Sequence, residues 1–212
     1  VDDVKLIGKE KNVDDIVKAI EAVFGKVTSS KKDGQMSDFV NCGVRHQRLS
    51  DGSVSMDQDD YIAALKPIRS EELRTAKSTD ACTTTLHGLY SSLLGAAAYA
   101  MLTQSWLSCF IIALQRVTHK PQVIHVKRLN LVVRAMQNDP KKLIYPAMTC
   151  IRELHVHADS AFSKEDEKGY ALRGLNFMRR GKARADGSDV WHLLEGAAQS
   201  HKNVVRSTYG AE

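Results

Sequence analysis

Cysteine is scarce in this sequence, and scattered where it occurs. Cys42, Cys82, Cys109 and Cys150 lie so far apart that no two have zinc-ligand spacing, and nothing suggests a disulfide framework. They read as reduced thiols of an intracellular protein, most of them core filler. Proline is as rare, and each of its four occurrences marks a boundary. Pro67, Pro121 and Pro140 end helical patterns, and Pro146 precedes a change of period. The sequence has no internal repeat, no low-complexity tract and no signal-peptide pattern. Its most apolar stretch, residues 86–114, is broken by Gln104-Ser105 and other polar residues, so no membrane span is expected. Ser, His and Asp are all present, but no nucleophile motif surrounds them.

Neither sign of charge dominates. The 30 Lys and Arg residues stand against 25 Asp and Glu, a net charge of +5, which is compatible with a polyanionic partner without demanding one. With 43% hydrophobic and 26% charged residues among 212, the chain can build one large core or two small ones, and wholesale disorder is excluded.

The periodicity sorts the chain into elements. Asn12 is the expected N-cap of a helix with Asp14 and Asp15 in its first turn. Ile16, Val17, Ile20, Val23 and Phe24 share one face, and Gly25 stops the run. Val40, Cys42 and Val44 alternate as in a strand. Asp51-Gly52 signals a two-residue hairpin, and Val54 and Met56 continue the alternation on the return. Asp59 and Asp60 open a short helix bearing Tyr61, Ile62 and Leu65. Residues 69–85 are polar and read as a linker. Three amphipathic patterns follow. The first carries Leu86, Leu89, Tyr90, Leu93, Leu94, Ala97 and Met101, and the second Trp106, Phe110, Ile111, Leu114 and Val117. The third carries Val123, Val126, Leu129, Val133 and Met136, and together they predict a small helical bundle. Beyond Pro146 the period becomes two. Leu154, Val156 and Ala158 alternate with His155, His157 and Asp159, and residues 169–178 and 190–194 read as two more strands. Residues 208–212 look like the opening turn of a helix. Position 1 is Val in strand-like sequence, so both ends are expected to lie inside a longer chain.

Two carboxylate motifs bear chemistry. Asp2-Asp3 sits between strand-like apolar residues, and adjacent carboxylates at a tight turn can hold the hard divalent cations that two-metal phosphoryl transfer uses. Asp159 stands at the end of a strand that two further strands follow. A third constellation, His155, His157 and Asp159 on one strand face, has donors suited to Zn²⁺ or Fe²⁺. A solvated sheet face accounts for it better, because no further ligand has convincing spacing. Lys127, Arg128 and Arg134, with Lys141 and Lys142, suit the phosphates of nucleic acid, and a solvated helix face accounts for them equally well.

In order, these blocks resemble the Pol polyprotein of copia-type LTR retrotransposons. Val1-Asp2-Asp3 resembles the Tyr-Val-Asp-Asp motif of their reverse transcriptase, and the 12–24 helix its palm helix. Lys31-Lys32-Asp33-Gly34 loosely resembles a Lys-Asp-Leu-Gly turn. Residues 51–62 resemble a segment written Gly-apolar-x-apolar-x-Gln-x-x-Tyr-apolar. Gly95-Ala96-Ala97-Ala98-Tyr99 resembles a Gly-Ser-Leu-x-Tyr core, and residues 125–129 a His-x-x-x-Lys-Arg block. His157-Ala158-Asp159-Ser160-Ala161-Phe162 resembles a Ser-Asp-Ala-Asp-Trp-Ala motif, and residues 206–212 a Ser-Ser-Thr-Glu-Ala-Glu motif. The chain departs where Thr103-Gln104-Ser105-Trp106 replaces a Thr-Arg-Pro-Asp block.

The resemblance implies an α+β chain in three parts. Residues 1–68 would be the tail of a reverse-transcriptase palm, 69–142 a helical thumb or connection, and 143–212 the first strands of a ribonuclease H-like domain. It implies Asp2 and Asp3 as ligands of polymerase Mg²⁺ ions, and Asp159 and Glu212 as ligands of ribonuclease H Mg²⁺ ions, with Mn²⁺ an alternative. The partners would be a template–primer duplex and deoxynucleoside triphosphates, in a cytoplasmic particle or the nucleus. With part of each carboxylate set, the isolated chain is expected to be inactive in both reactions. A non-catalytic nucleic-acid-binding module from a degenerate element is the alternative.

Overall fold

The computed structural model describes residues 6, 9–27, 38–161 and 172–200. The protein is α+β, with two antiparallel sheets flanking a helical core. Helix α1 (Glu10–Phe24) begins at Lys9 rather than Asn12 and ends at Gly25, whose φ of 85° suits glycine. None of its residues is buried among the described residues.

The first sheet has the order β1-β2-β3-β4. Strands β1 (Phe39–Asn41) and β2 (Val44–Arg48) form a tight hairpin turning at Cys42-Gly43. The alternation of Val40, Cys42 and Val44 predicts one strand, but the chain reverses in its middle. Cys42 and Gly43 both have positive φ, 48° and 70°, the twist that two-residue hairpins favour. The Tyr99 hydroxyl donates to the Cys42 carbonyl and so fastens this turn to the helical core. Strand β3 (Val54–Asp57) returns after Asp51-Gly52. The loop there has three residues, not two. Leu49 N–H bonds Ser53 O at 2.8 Å, and Gly52, at φ 84°, holds the left-handed position of that longer turn. Strand β4 (Leu143–Tyr145) comes from beyond the helices to pair with β3, Ser55 opposite Ile144. The boundary expected at residue 143 thus falls just before a strand that completes the first sheet.

Between β3 and β4 lie α2 (Asp59–Ala64), α3 (Glu72–Thr75), α4 (Thr84–Ala100), α5 (Ser108–Arg116) and α6 (Val123–Asn138). The Thr83 hydroxyl caps α4 by accepting from Leu86 N–H. At α6 the Gln122 side chain and His125 form a reciprocal capping box. The expected face of α6 is core, and so is most of that of α4, with Leu86, Tyr90, Leu94, Val126, Leu129 and Val133 essentially sealed from water; Leu89, expected on the same face of α4, is exposed. On α5 only Ile111 and Leu114 turn inward; Phe110, and Trp106 in the turn before α5, expected on the same apolar face, stay exposed. Three of the four cysteines are exposed too, so sulfur is not core filler here. No helix among the described residues is long and apolar enough to cross a membrane.

Side-chain amides stitch the connections to this core. Asn130 donates to Ile68 O and accepts from Ile68 N–H, both at 2.8 Å. Gln137 donates to Ile62 O and Leu65 O at the end of α2. Gln104, fully buried in the turn after α4, donates to Lys141 O (2.8 Å) and to the Thr103 hydroxyl (3.2 Å). Its Oε1 accepts from Lys141 N–H and Trp106 Nε1, both at 3.0 Å. Thr103 in turn donates to Gln58 Oε1 at 3.0 Å.

The second sheet has the order β5-β6-β7, from β5 (Met148–Ala161), β6 (Leu172–Ala183) and β7 (Asp189–Ser200). Its strands are longer than the alternation alone predicts. At one end Gly181 faces a β5 bulge so closely that a Cβ would lie 2.1 Å from Cys150 O. Helix α5 packs on β7, where Gly196 lets Ser105 approach. His192, buried on β7, accepts from Arg179 Nε through Nδ1 (3.0 Å) and donates from Nε2 to Pro146 O (2.8 Å). That tautomer is neutral, and burial holds its pKa below the ordinary histidine value, with Arg179 adding to the effect.

Two measurements probe these joints. Gln104→Ala removes the partners of the Lys141 N–H and carbonyl and of the Trp106 ring N–H, and is expected to cost about 3 kcal/mol in urea unfolding; a loss under about 1 kcal/mol would show that water replaces the amide. As pH falls through about 6.5 the unfolded chain protonates residue 192 before the folded one does, so stability present above that pH is lost below it. Replacing His192 with Gln is therefore expected to flatten the decline in unfolding midpoint between neutral and mildly acidic pH. An unchanged slope would show that the ring does not titrate with folding.

Candidate carboxylate site and nucleic-acid interface

Of the four carboxylates expected to bind metal, Asp159 alone belongs to the described residues; Asp2, Asp3 and Glu212 lie outside them. Asp159 sits near the C-terminal end of β5, opposite Gly174 of β6, with its side chain exposed. Oδ1 accepts from Ser160 N–H at 2.8 Å, which orients the carboxyl group. Among the described residues no three His, Cys, Asp or Glu groups converge as a metal site. Asp159 therefore supplies at most one ligand, and no step through a metal ion follows from the described residues.

His155 and His157 do share a face of β5, stacked with centroids 6.1 Å apart. The neighbours of His155 already engage it. His155 Nε2 meets Glu153 at 2.6 Å, and its ring packs edge-on to Trp191 at 4.6 Å. Arg180 lies over the Trp191 ring at 5.5 Å and reaches Glu153 and Asp189, while Lys182 also contacts Asp189 at 2.8 Å. The His155 and Arg180 contacts hold the Glu153 carboxyl below its usual range. Lys182 and Arg180 bring Asp189 down to about 2. This is a solvated lattice of charges across three strands.

The basic residues divide as well. Lys142 pairs with Asp57 and Asp59, and Lys141 with Asp139, so these two serve the β3–β4 joint and the turn before it. Lys127 and Arg134 stand two turns apart on α6 and line a groove of about 710 Å³ against α3 and the segment before it. Arg69 and Arg74 line the opposite wall, while Arg128, exposed one residue along from Lys127, does not. Sequence alone does not reveal Arg69 and Arg74 as part of this set. They lie about fifty residues before α6 in a polar segment, and the Asn130–Ile68 bonds, with the Ile124 N–H bond to Ser78 O, bring the walls together.

Comparison with protein-family models, curated proteins and solved structures gives no match to this chain.

The sheet-face lattice leads to a clear expectation. Zn²⁺ at equimolar ratio should leave the melting temperature unmoved, because Glu153 and Trp191 already engage His155. A stabilisation that His157→Ala removes would restore the metal-site reading.

Proposed function

We propose that this chain belongs to the reverse transcriptase–ribonuclease H region of a copia-type LTR retrotransposon polyprotein. The observation that carries the reading is Asp159 near the end of the first of three consecutive antiparallel strands. That is the layout expected where a ribonuclease H domain opens, and it follows a helical block and a hairpin sheet as the resemblance requires. In this reading Asp2 and Asp3 serve polymerase Mg²⁺ ions, and Asp159 and Glu212 serve ribonuclease H Mg²⁺ ions, with Mn²⁺ able to substitute. Such ions would activate an attacking oxygen and stabilise a leaving one. Lys127, Arg128 and Arg134 would contact the backbone of an RNA or DNA template–primer duplex, in a cytoplasmic particle or the nucleus. A second reading, a non-catalytic nucleic-acid-binding module, is favoured by the cationic groove along α6.

Paramagnetic Mn²⁺ tests the metal assignment on the chain itself. Broadening of amide resonances centred on Asp159 and abolished by Asp159→Asn is expected. Broadening centred elsewhere, or indifferent to that substitution, would sink the ribonuclease H assignment.

A further inference from the structure

The groove between α3 and α6 has a shape and charge that the polymerase and ribonuclease H chemistry does not call for. We infer that it binds one unpaired strand of nucleic acid through its phosphodiester backbone. This rests on the nucleic-acid part of the reading above and on none of the metal assignments.

Charge comes first. Four cationic side chains, Arg69, Arg74, Lys127 and Arg134, line the groove against one carboxylate, Glu71, and that carboxylate is held by Arg74 at 3.1 Å. Among the described residues, Arg69, Lys127 and Arg134 meet no carboxylate. Converging cations without counter-charge repel one another and favour a polyanion that bridges them. Lys127 and Arg134 are seven residues apart on α6, about 10.5 Å along its axis, so their charges run along the groove instead of meeting at a point. A single phosphate would satisfy one end; a chain of phosphates satisfies both.

Shape then selects the strand. A groove of about 710 Å³, with a wall no longer than the single turn of α3 and the segment before it, takes a short length of one backbone, while a duplex would ride on its rims. Leu131, 61% exposed, stands on α6 between Lys127 and Arg134, and half-buried Leu73 faces it from α3. These surfaces can cover sugar and base faces that a duplex keeps stacked inside. No aromatic ring lines the groove, so bases add little and phosphate contacts dominate. Binding of this kind is tolerant of sequence and steep in salt.

The test uses the intact chain, a fluorescent oligothymidylate and an RNA–DNA hybrid of equal length, with anisotropy measured over a salt series. Oligothymidylate is expected to bind more tightly than the hybrid. Lys127→Gln with Arg134→Gln should weaken it roughly tenfold and reduce the slope of log affinity against log salt by about 1.4, at about 0.7 per cation lost. The pair Arg69→Gln with Arg74→Gln should act alike, and Arg184→Gln, on the far β6–β7 turn, should leave binding unchanged. All substituted residues are solvent-facing, and thermal melting checks that each variant stays folded. Preference for the hybrid through these same residues would overturn the single-strand inference and leave the duplex reading standing. Failure to bind either nucleic acid would overturn both, while the Mn²⁺ response at Asp159 would be untouched by either result.

Discussion

A primary amide sealed from water must find partners for both ends of its dipole, and at Gln104 those partners come from distant parts of the chain. One end takes the N–H of Lys141, the last residues before β4, and the other donates back to the same residue's carbonyl. Through Thr103 the contact continues to Gln58, at the start of α2. The turn after α4, the exit from β3 and the entry to β4 are thereby held in one polar knot. Because β4 then pairs with β3, the helical block is closed at its base as a loop is closed by a clasp. The Thr103-Gln104-Ser105-Trp106 segment is thus a structural joint between the helices and the first sheet. A neutral amide makes the contacts, and no buried charge has to be matched.

The second sheet depends on different physics. Its outer strand β5 has little core beneath it, and Leu154 and Val156 remain largely exposed. Cohesion comes from the length of the ladders, from α5 against β7, and from cross-strand charge pairs around Glu153, Arg180 and Asp189. Exposed pairs of this kind contribute little each, so the sheet is the part of the molecule whose order rests most on backbone hydrogen bonds.

How far the sequence discloses this structure depends on the kind of signal. The face of α6 is fully legible: every apolar residue expected to be inward is sealed, since the 3.6-residue period survives over four turns against a single core. The face of α5 is legible only in part. It is short, and Phe110, with Trp106 in the turn before it, satisfies the period while staying exposed beside the core that Ile111 and Leu114 join. The Cys42-Gly43 reversal is hidden because a two-residue turn keeps the alternation of its flanks in phase. Asp51-Gly52 is visible as a turn, but its loop length is set by the Leu49–Ser53 bond, which no dipeptide encodes. Of the candidate site, the position of Asp159 at a strand end is readable from alternation. Its isolation from other carboxylates among the described residues is not, because convergence is a property of tertiary structure.

The cationic groove shows the same division at the level of function. Lys127, Leu131 and Arg134 fall on one helical stripe by spacing alone, and Arg128 falls about 100° away from Lys127 by the same arithmetic. What spacing cannot supply is the second wall. That wall exists because Asn130, on the same stretch of α6, spends both halves of its amide on the backbone of Ile68. An apolar residue at position 130 would keep the period and lose the bond that sets Arg69 opposite Lys127, leaving the wall to the packing of Ile68 and Leu73. Three charges that repel one another are therefore kept in place by a neutral contact beside them. This is the arrangement expected where local stability is given up for a surface that attracts a polyanion.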